Sequence, residues 1–288
     1  MTFVAAVVCP HPPLLVPEVG GAEPVAVRPV ALDAVRRLAA AGPDRIVVVG
    51  DVGDVAAAID FGPTATGTYA GYGVPLTVGL AAHPGSSPTA VLPAGGESVA
   101  DPAGWSGDGG EPSLPLSLTT GAWLLAATGW PGVRTALGVP AGYSPDQAAE
   151  LGARLAAGSA SDERLGLLVM GDGSARRTLK APGGLDERAE PFDATVATAL
   201  ADVDPAGLLD LDPVLARDLL AAGRASWQVL AGALVATAGA TAAITATRDD
   251  TPRAAWTGEL VYDEAPYGVG YLVAVWIRGN AEREGMRE

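Results

Sequence analysis

The chain has 288 residues, 49% of them hydrophobic but only 5% aromatic, and a formal charge of −15 at pH 7 with a pI near 4.4. That length can bury a large core, built here mainly from Ala, Val and Leu, which excludes an intrinsically disordered chain. The acidity argues against nucleic acid and anionic membranes as partners, since both need clustered Lys and Arg.

Cys9 is the only cysteine, so there is no intrachain disulfide and no thiolate metal cluster. In a buried strand its role reads as packing. The first residues lack the basic region, long apolar segment and cleavage site of a signal peptide, and cytoplasm is the expected compartment. Two uncharged windows, Ser113 to Val133 and Trp227 to Thr247, lack the Leu/Ile/Phe density of a lipid-facing helix. Each reads as a buried helix followed by a strand.

In chain order, Val4 to Gly21 opens as an apolar run of strand length and stops at Pro10-His11-Pro12-Pro13 before a helical pattern begins. The prolines fix φ around His11 and disfavour the α region before each of them, so the imidazole sits in a stiff turn beyond a buried strand. Such a turn either connects two elements or presents a ligand, and the turn alone does not decide. Val25 to Ala41 has helical periodicity, and Arg45 to Gly50 is a β-branched run suited to a central parallel strand. Asp51 and Asp54 follow it, on the side where open α/β sheets bind ligands.

From Phe61 to Pro112 the composition shifts to Gly, Pro, Ser and Thr, interrupted by a candidate strand at Val74 to Leu80. The part from 83 to 112 has the character of an insertion or lid. His83 lies within it and reads first as a loop histidine facing solvent.

Regular alternation then resumes. A helix is predicted over Leu116 to Ala127, a strand over Val133 to Val139, and a helix to Ala157 with Ser144 as N-cap and Pro145 at its first position. Leu165 to Met170 is a further strand, followed by Gly171-Asp172-Gly173-Ser174-Ala175-Arg176. Helices follow at Pro191 to Leu200, Pro213 to Leu220 and Ser226 to Ala238, then strands at Ala242 to Thr247, Trp256 to Tyr262 and Gly268 to Ile277. The sum is one α/β domain over residues 1–288, a mixed, largely parallel central sheet with helices on both faces.

Four stretches together resemble the B-subunit family of class III extradiol ring-cleavage dioxygenases. They are Cys9-Pro10-His11-Pro12-Pro13-Leu14-Leu15-Val16-Pro17-Glu18-Val19-Gly20; Gly171-Asp172-Gly173-Ser174 with Ala181-Pro182-Gly183-Gly184 and Phe192-Asp193; Ser226-Trp227-Gln228-Val229-Leu230-Ala231-Gly232-Ala233-Leu234; and Tyr267-Gly268-Val269-Gly270-Tyr271-Leu272-Val273-Ala274. The resemblance implies a non-haem Fe(II) enzyme that opens a catecholic ring with dioxygen. Its iron would be held by histidines beyond the first and second strands and by a glutamate before the Ser-Trp stretch, with a further histidine as acid/base.

His11 matches the first of these ligands. Beyond the second strand the chain reads Gly50-Asp51-Val52-Gly53-Asp54, the acid/base position falls on Ala175, and the glutamate position falls on Ala221 or Ala222. With most ligands and the acid/base group replaced, ring cleavage is not expected.

Three readings remain. In the first, a degenerate family member binds a small molecule or a protein partner in a cleft around His11, Asp51, Asp54, Asp172, Ser174 and Arg176. In the second, His11, Asp51 and Asp172 form a rebuilt site for a divalent metal such as Fe, Mn or Zn, serving hydrolysis or oxidation, with Asp54 as a further oxygen ligand and Asp218 as an outlying participant. In the third, the chain is a homo-oligomeric interaction protein paired through edge strands. Ser174 lacks a Gly-x-Ser-x-Gly frame, and Gly171 to Ser174 lacks the Gly-Lys-Ser/Thr ending of a phosphate loop.

Overall fold

The computed structural model describes residues 2–21, 25–81, 113–158, 162–245 and 256–279. The stretch predicted as a lid, and His83 with it, lies outside them.

In chain order the strands are β1 (Thr2–Cys9), β2 (Arg45–Asp51), β3 (Ile59–Phe61), β4 (Thr66–Thr68), β5 (Thr77–Gly79), β6 (Val133–Val139), β7 (Arg164–Met170), β8 (Trp256–Glu264) and β9 (Tyr271–Arg278). The helices are α1 (Pro17–Gly20), α2 (Val27–Ala40), α3 (Leu116–Ala127), α4 (Pro145–Ala157), α5 (Ala189–Ala201), α6 (Pro205–Leu209), α7 (Pro213–Asp218) and α8 (Arg224–Thr245).

One seven-stranded sheet runs in the order β3-β6-β2-β7-β1-β9-β8, and β4 and β5 form a separate antiparallel pair. Strands β6, β2, β7 and β1 are parallel, while β3, β9 and β8 are antiparallel to their neighbours. The chain therefore has a largely parallel central sheet with antiparallel strands at both sides. Because alternate residues of a strand point to opposite faces, Val47 and Val49 of β2 enter one core while Ile46 and Val48 enter the other. Leu272, Ala274 and Trp276 of β9 part from Val273 and Val275 in the same way.

Helices α2 and α3 cover one face, and α4, α5, α6, α7 and α8 cover the other. The connection from β1 to β2 and the one from β2 to β6 move outward along the first face; the connection from β6 back to β7 uses the second. Right-handed crossovers require such a change of face when the direction reverses. The loops leaving β1, β2 and β7 consequently diverge at the carboxyl ends of three neighbouring strands, which opens a crevice there.

Helix α8 is positioned by α4. A Cβ on Gly152 would fall 2.0 Å from the Val229 carbonyl oxygen, and one on Gly232 would fall 2.2 Å from that of Ala149, so the two helices touch backbone to backbone. The Ser144 N-cap of α4 is as predicted, reinforced by a capping box with Gln147. The strand predicted at Ala242 to Thr247 is corrected over 242–245, the rest of it lying outside the described residues: α8 continues to Thr245, because four alanines and no proline after Thr237 let helix propensity override the Thr and Ile content. Strand β9 starts at Tyr271, after a turn in which Gly268 takes φ +75°. The apolar run at Val74 to Leu80 yields only Thr77–Gly79 as strand. Among the described residues no helix is long and apolar enough to cross a membrane.

Candidate functional site

His11 lies two residues beyond β1, Asp51 ends β2 and Asp172 lies two residues beyond β7, so three neighbouring strands deliver the predicted residues to one sheet edge. What they do there differs. The backbone N–H of His11 donates to Asp172 Oδ1 at 2.8 Å, and the same oxygen stands 3.7 Å from His11 Nδ1. His11 is 9% exposed, and its Nδ1 is buried without a hydrogen-bond partner among the described residues.

Asp51 accepts the Gly53 N–H on its carboxylate and the Ser117 hydroxyl on its backbone oxygen. Burial pushes its carboxyl above the usual range, opposed by the Gly53 hydrogen bond and by the charges of His11 and Arg224. Among the described residues no three His, Cys, Asp or Glu side chains gather closely enough to hold a metal ion. The rebuilt three-ligand set of His11, Asp51 and Asp172 is thus not assembled: Asp172 is turned onto the His11 backbone. The residues present do not fit the iron set implied by the resemblance either: the β2 exit reads Gly50-Asp51-Val52-Gly53-Asp54 with no histidine, and alanines stand at the glutamate position (Ala221 or Ala222) and the acid/base position (Ala175).

Two other predicted cleft residues are engaged elsewhere. Ser174 is fully buried, its N–H and hydroxyl donating to the two oxygens of Asp193 at 2.7 and 2.6 Å, with Arg177 adding a third donor at 3.1 Å. Arg176 donates to the Gly183 carbonyl and closes the loop that follows β7. Both hold that loop in shape. Asp218 pairs at the surface with Arg188 at 3.3 Å. Burial pushes the Cys9 thiol well above its ordinary range, in keeping with a packing role.

The open space at this edge is a pocket of about 300 Å³ beside Asp51. Its walls are Asp51 and Asp54 from the β2 exit, Ala141 from the β6 exit, and the segment from α7 into α8: Ala216, Arg217, Leu220, Ala221, Ala222 and Arg224 among them. Glycine creates the seat for that last wall. A Cβ on Gly171 would fall 2.5 Å from the Gly223 Cα, so only glycine at the β7 exit lets the start of α8 approach, where the Gly223 N–H reaches the Asp172 carbonyl at 2.9 Å.

Sequence reasoning missed Arg217 on the pocket rim and, more deeply set, Arg224. Arg224 is 4% exposed, and its Nη1 donates to the Tyr143 carbonyl and to Gln228 Oε1 at 2.8 Å while its Nη2 donates to the Ala141 carbonyl. Gln228 in turn donates to the carbonyls of Leu209 and Leu211 at 3.2 and 3.1 Å, which ties the α6–α7 connection to α8. The available signal was its isolation: Arg224 is the last charge before an uncharged stretch reaching Thr247. Burial lowers its pKa, and the charge of Arg217 acts in the same direction.

Around the same edge, Ser226 Oγ and Trp227 Nε1 are also buried without hydrogen-bond partners among the described residues. Buried polar atoms are ordinarily hydrogen-bonded, to protein or to ordered water.

No protein-family model matches the chain, and no curated protein matches it. Among solved structures, the chain is similar to the uncharacterized protein JW3007 from Escherichia coli K12, with a TM-score of 0.44 and 16% identity over 95% of this chain and 99% of that one. Nothing about the site is carried across at that distance.

Proposed function

We propose that the chain is an extradiol-dioxygenase-like protein whose cleft binds a small molecule and does not open catechol rings. The observation that carries this reading is that Ala221 and Ala222, at the position where the resemblance calls for a glutamate ligand, line an open pocket beside Asp51 and Arg224. Methyl groups there cannot hold a metal, whereas a concave site with a few convergent polar groups is the ordinary form of a ligand site. Asp51 and Arg224 supply the polar groups, and alanine, proline and leucine supply the apolar surface. His11 and Asp172, which hold each other at the β1 and β7 exits, would form the neighbouring floor.

The test has two arms. Oxygen uptake is followed with a panel of catechols after anaerobic addition of Fe²⁺, and thermal stability is followed across a panel of small molecules. The reading expects no catechol-dependent uptake above the Fe²⁺ blank and a rise in melting temperature with at least one molecule. Catechol-dependent uptake lost in His11→Ala would overturn it.

A second reading, pairing between copies of this chain, has one supporting observation: β8, nine residues long, is one of the two edge strands of the sheet among the described residues, a position open to further strand pairing. Light scattering at high concentration tests it, and a strict monomer would remove it.

A further inference from the structure

The charges lining the pocket beside Asp51 are of both signs, and they do not neutralise one another. Asp51 and Asp54 stand on the β2 side, Arg217 and Arg224 on the side of α7 and α8. Asp51 and Arg224 sense each other's charge. Yet among the described residues no ion pair or hydrogen bond joins either carboxylate to either guanidinium. Opposite charges that share a pocket without touching leave room for a molecule that touches both.

The guanidinium of Arg224 is preorganised for such contact. It has five N–H donors in a rigid planar fork. Three are held by Tyr143, Ala141 and Gln228, which fixes the plane and leaves two without an acceptor among the described residues. Arg224 is also the first residue of the 22-residue α8, whose free N–H groups and dipole add positive potential on the same side. Arg217, at the exposed rim in the last turn of α7, adds a second cation.

A simple anion entering this space would meet Asp51 and Asp54, and a simple cation would meet the two arginines. Only a ligand with both charges satisfies both walls. The surface between them is apolar, formed by Pro213, Ala216, Leu220 and Ala222, and the volume of about 300 Å³ suits a molecule of amino-acid size.

We propose that this pocket is built for a small zwitterion, an ammonium-bearing carboxylate on an apolar skeleton such as an amino acid. Its ammonium would face Asp51 and Asp54, and its carboxylate would face Arg224 and Arg217. The inference rests on the reading that the cleft binds a small molecule, and names the class of that molecule.

The test is calorimetric titration of the full chain with L-leucine and 5-aminopentanoate, with 4-methylpentanoate and isoamylamine as single-charge counterparts, and with 4-methylcatechol as an uncharged molecule of similar size. At least one zwitterion is expected to bind tenfold or more tightly than either counterpart. Arg224 anchors backbone, so the variants are made at the exposed rim. Arg217→Gln is expected to weaken the zwitterion and the carboxylate but not the amine, and Asp54→Asn the zwitterion and the amine but not the carboxylate. Equal affinity for a single-charge counterpart would overturn the inference, as would affinities indifferent to both variants. Binding of 4-methylcatechol alone would overturn the inference and leave the small-molecule reading standing; binding of none of the five would count against both.

Discussion

The Asp193 cluster and the Asp51 pocket both stand at the carboxyl edge of the parallel strands, and each sets a carboxylate whose pKa is raised by burial near an arginine. Asp193 is closed: Ser174 donates twice, Arg177 donates once, and the carboxylate is 1% exposed. Asp51 is open. Its carboxylate accepts one backbone N–H, from Gly53, and looks across a pocket at an arginine it does not reach. A buried charge whose hydrogen bonds are complete stabilises a loop, whereas one left incomplete beside a cavity has capacity for a ligand. The residue types alone do not separate these roles; the number of partners does.

The same substitution at both carboxylates would sharpen the contrast. Asp193→Asn keeps a single acceptor oxygen, so the amide NH2 is set against either the Ser174 N–H or the Arg177 guanidinium, and the buried charge that faces Arg177 is removed. A loss of about 2–4 kcal/mol is expected in urea unfolding, below the extreme for a broken buried pair because Arg177 keeps some solvent contact.

The next largest effect has the opposite sign. Leu220, on the pocket wall, holds φ +56°, a left-handed conformation unfavourable for a side chain of this size. Leu220→Gly relieves it while giving back some backbone entropy, for a net gain of about 0.5–1 kcal/mol. Ligand affinity should fall severalfold as that wall is removed. Gain of stability with loss of binding would mark Leu220 as strained for the sake of the site.

Asp51→Asn should change unfolding stability by no more than about 0.5 kcal/mol, since the amide oxygen can still accept from Gly53. A loss matching that of Asp193→Asn would break the comparison.

Smallest of all is the surface pair beside the β7 loop. Hydrogen bonds from the Arg188 side chain and backbone hold the Asp186 carboxyl down at about 2. A depressed folded-state pKa contributes stability above the unfolded value, about 3.9, and loses it as pH falls toward the folded value. The stability difference between the native chain and Asp186→Asn should therefore shrink between pH 5 and pH 2. A difference that grows on acidification would contradict the assignment.

The fold was largely legible because its signals are local and repetitive. The β-branched run at Arg45 to Gly50, the apolar run at Leu165 to Met170 and the Ser144-Pro145-Asp146-Gln147 cap sit where the pattern puts them. Two-sided burial also shows in the unbroken apolar runs of β1 and β7. Over 242–245 helix stands where a strand was predicted, because an Ala-rich run with Thr and Ile satisfies both descriptions and helix continuity decided it.

The site was legible only in part. Strand exits are readable, so His11, Asp51 and Asp172 were placed at the one sheet edge where β1, β2 and β7 end. Side-chain direction past a strand end is not, so Ser174 and Arg176 were placed in the cleft although Asp193 and Gly183 hold them. Arg224 was passed over because its importance comes from carbonyls 81 and 83 residues away in sequence, at Tyr143 and Ala141.

The most direct test of the central claim is calorimetric titration of the tightest of the five probes into the native chain and into Ala222→Trp. Ala222 is half-buried on the pocket wall, so an indole there fills the space with little expected cost to the fold. The account predicts at least a tenfold loss of affinity, with a melting temperature within about 2 °C of the native chain. Unchanged affinity in a folded Ala222→Trp protein would place the ligand elsewhere and contradict it.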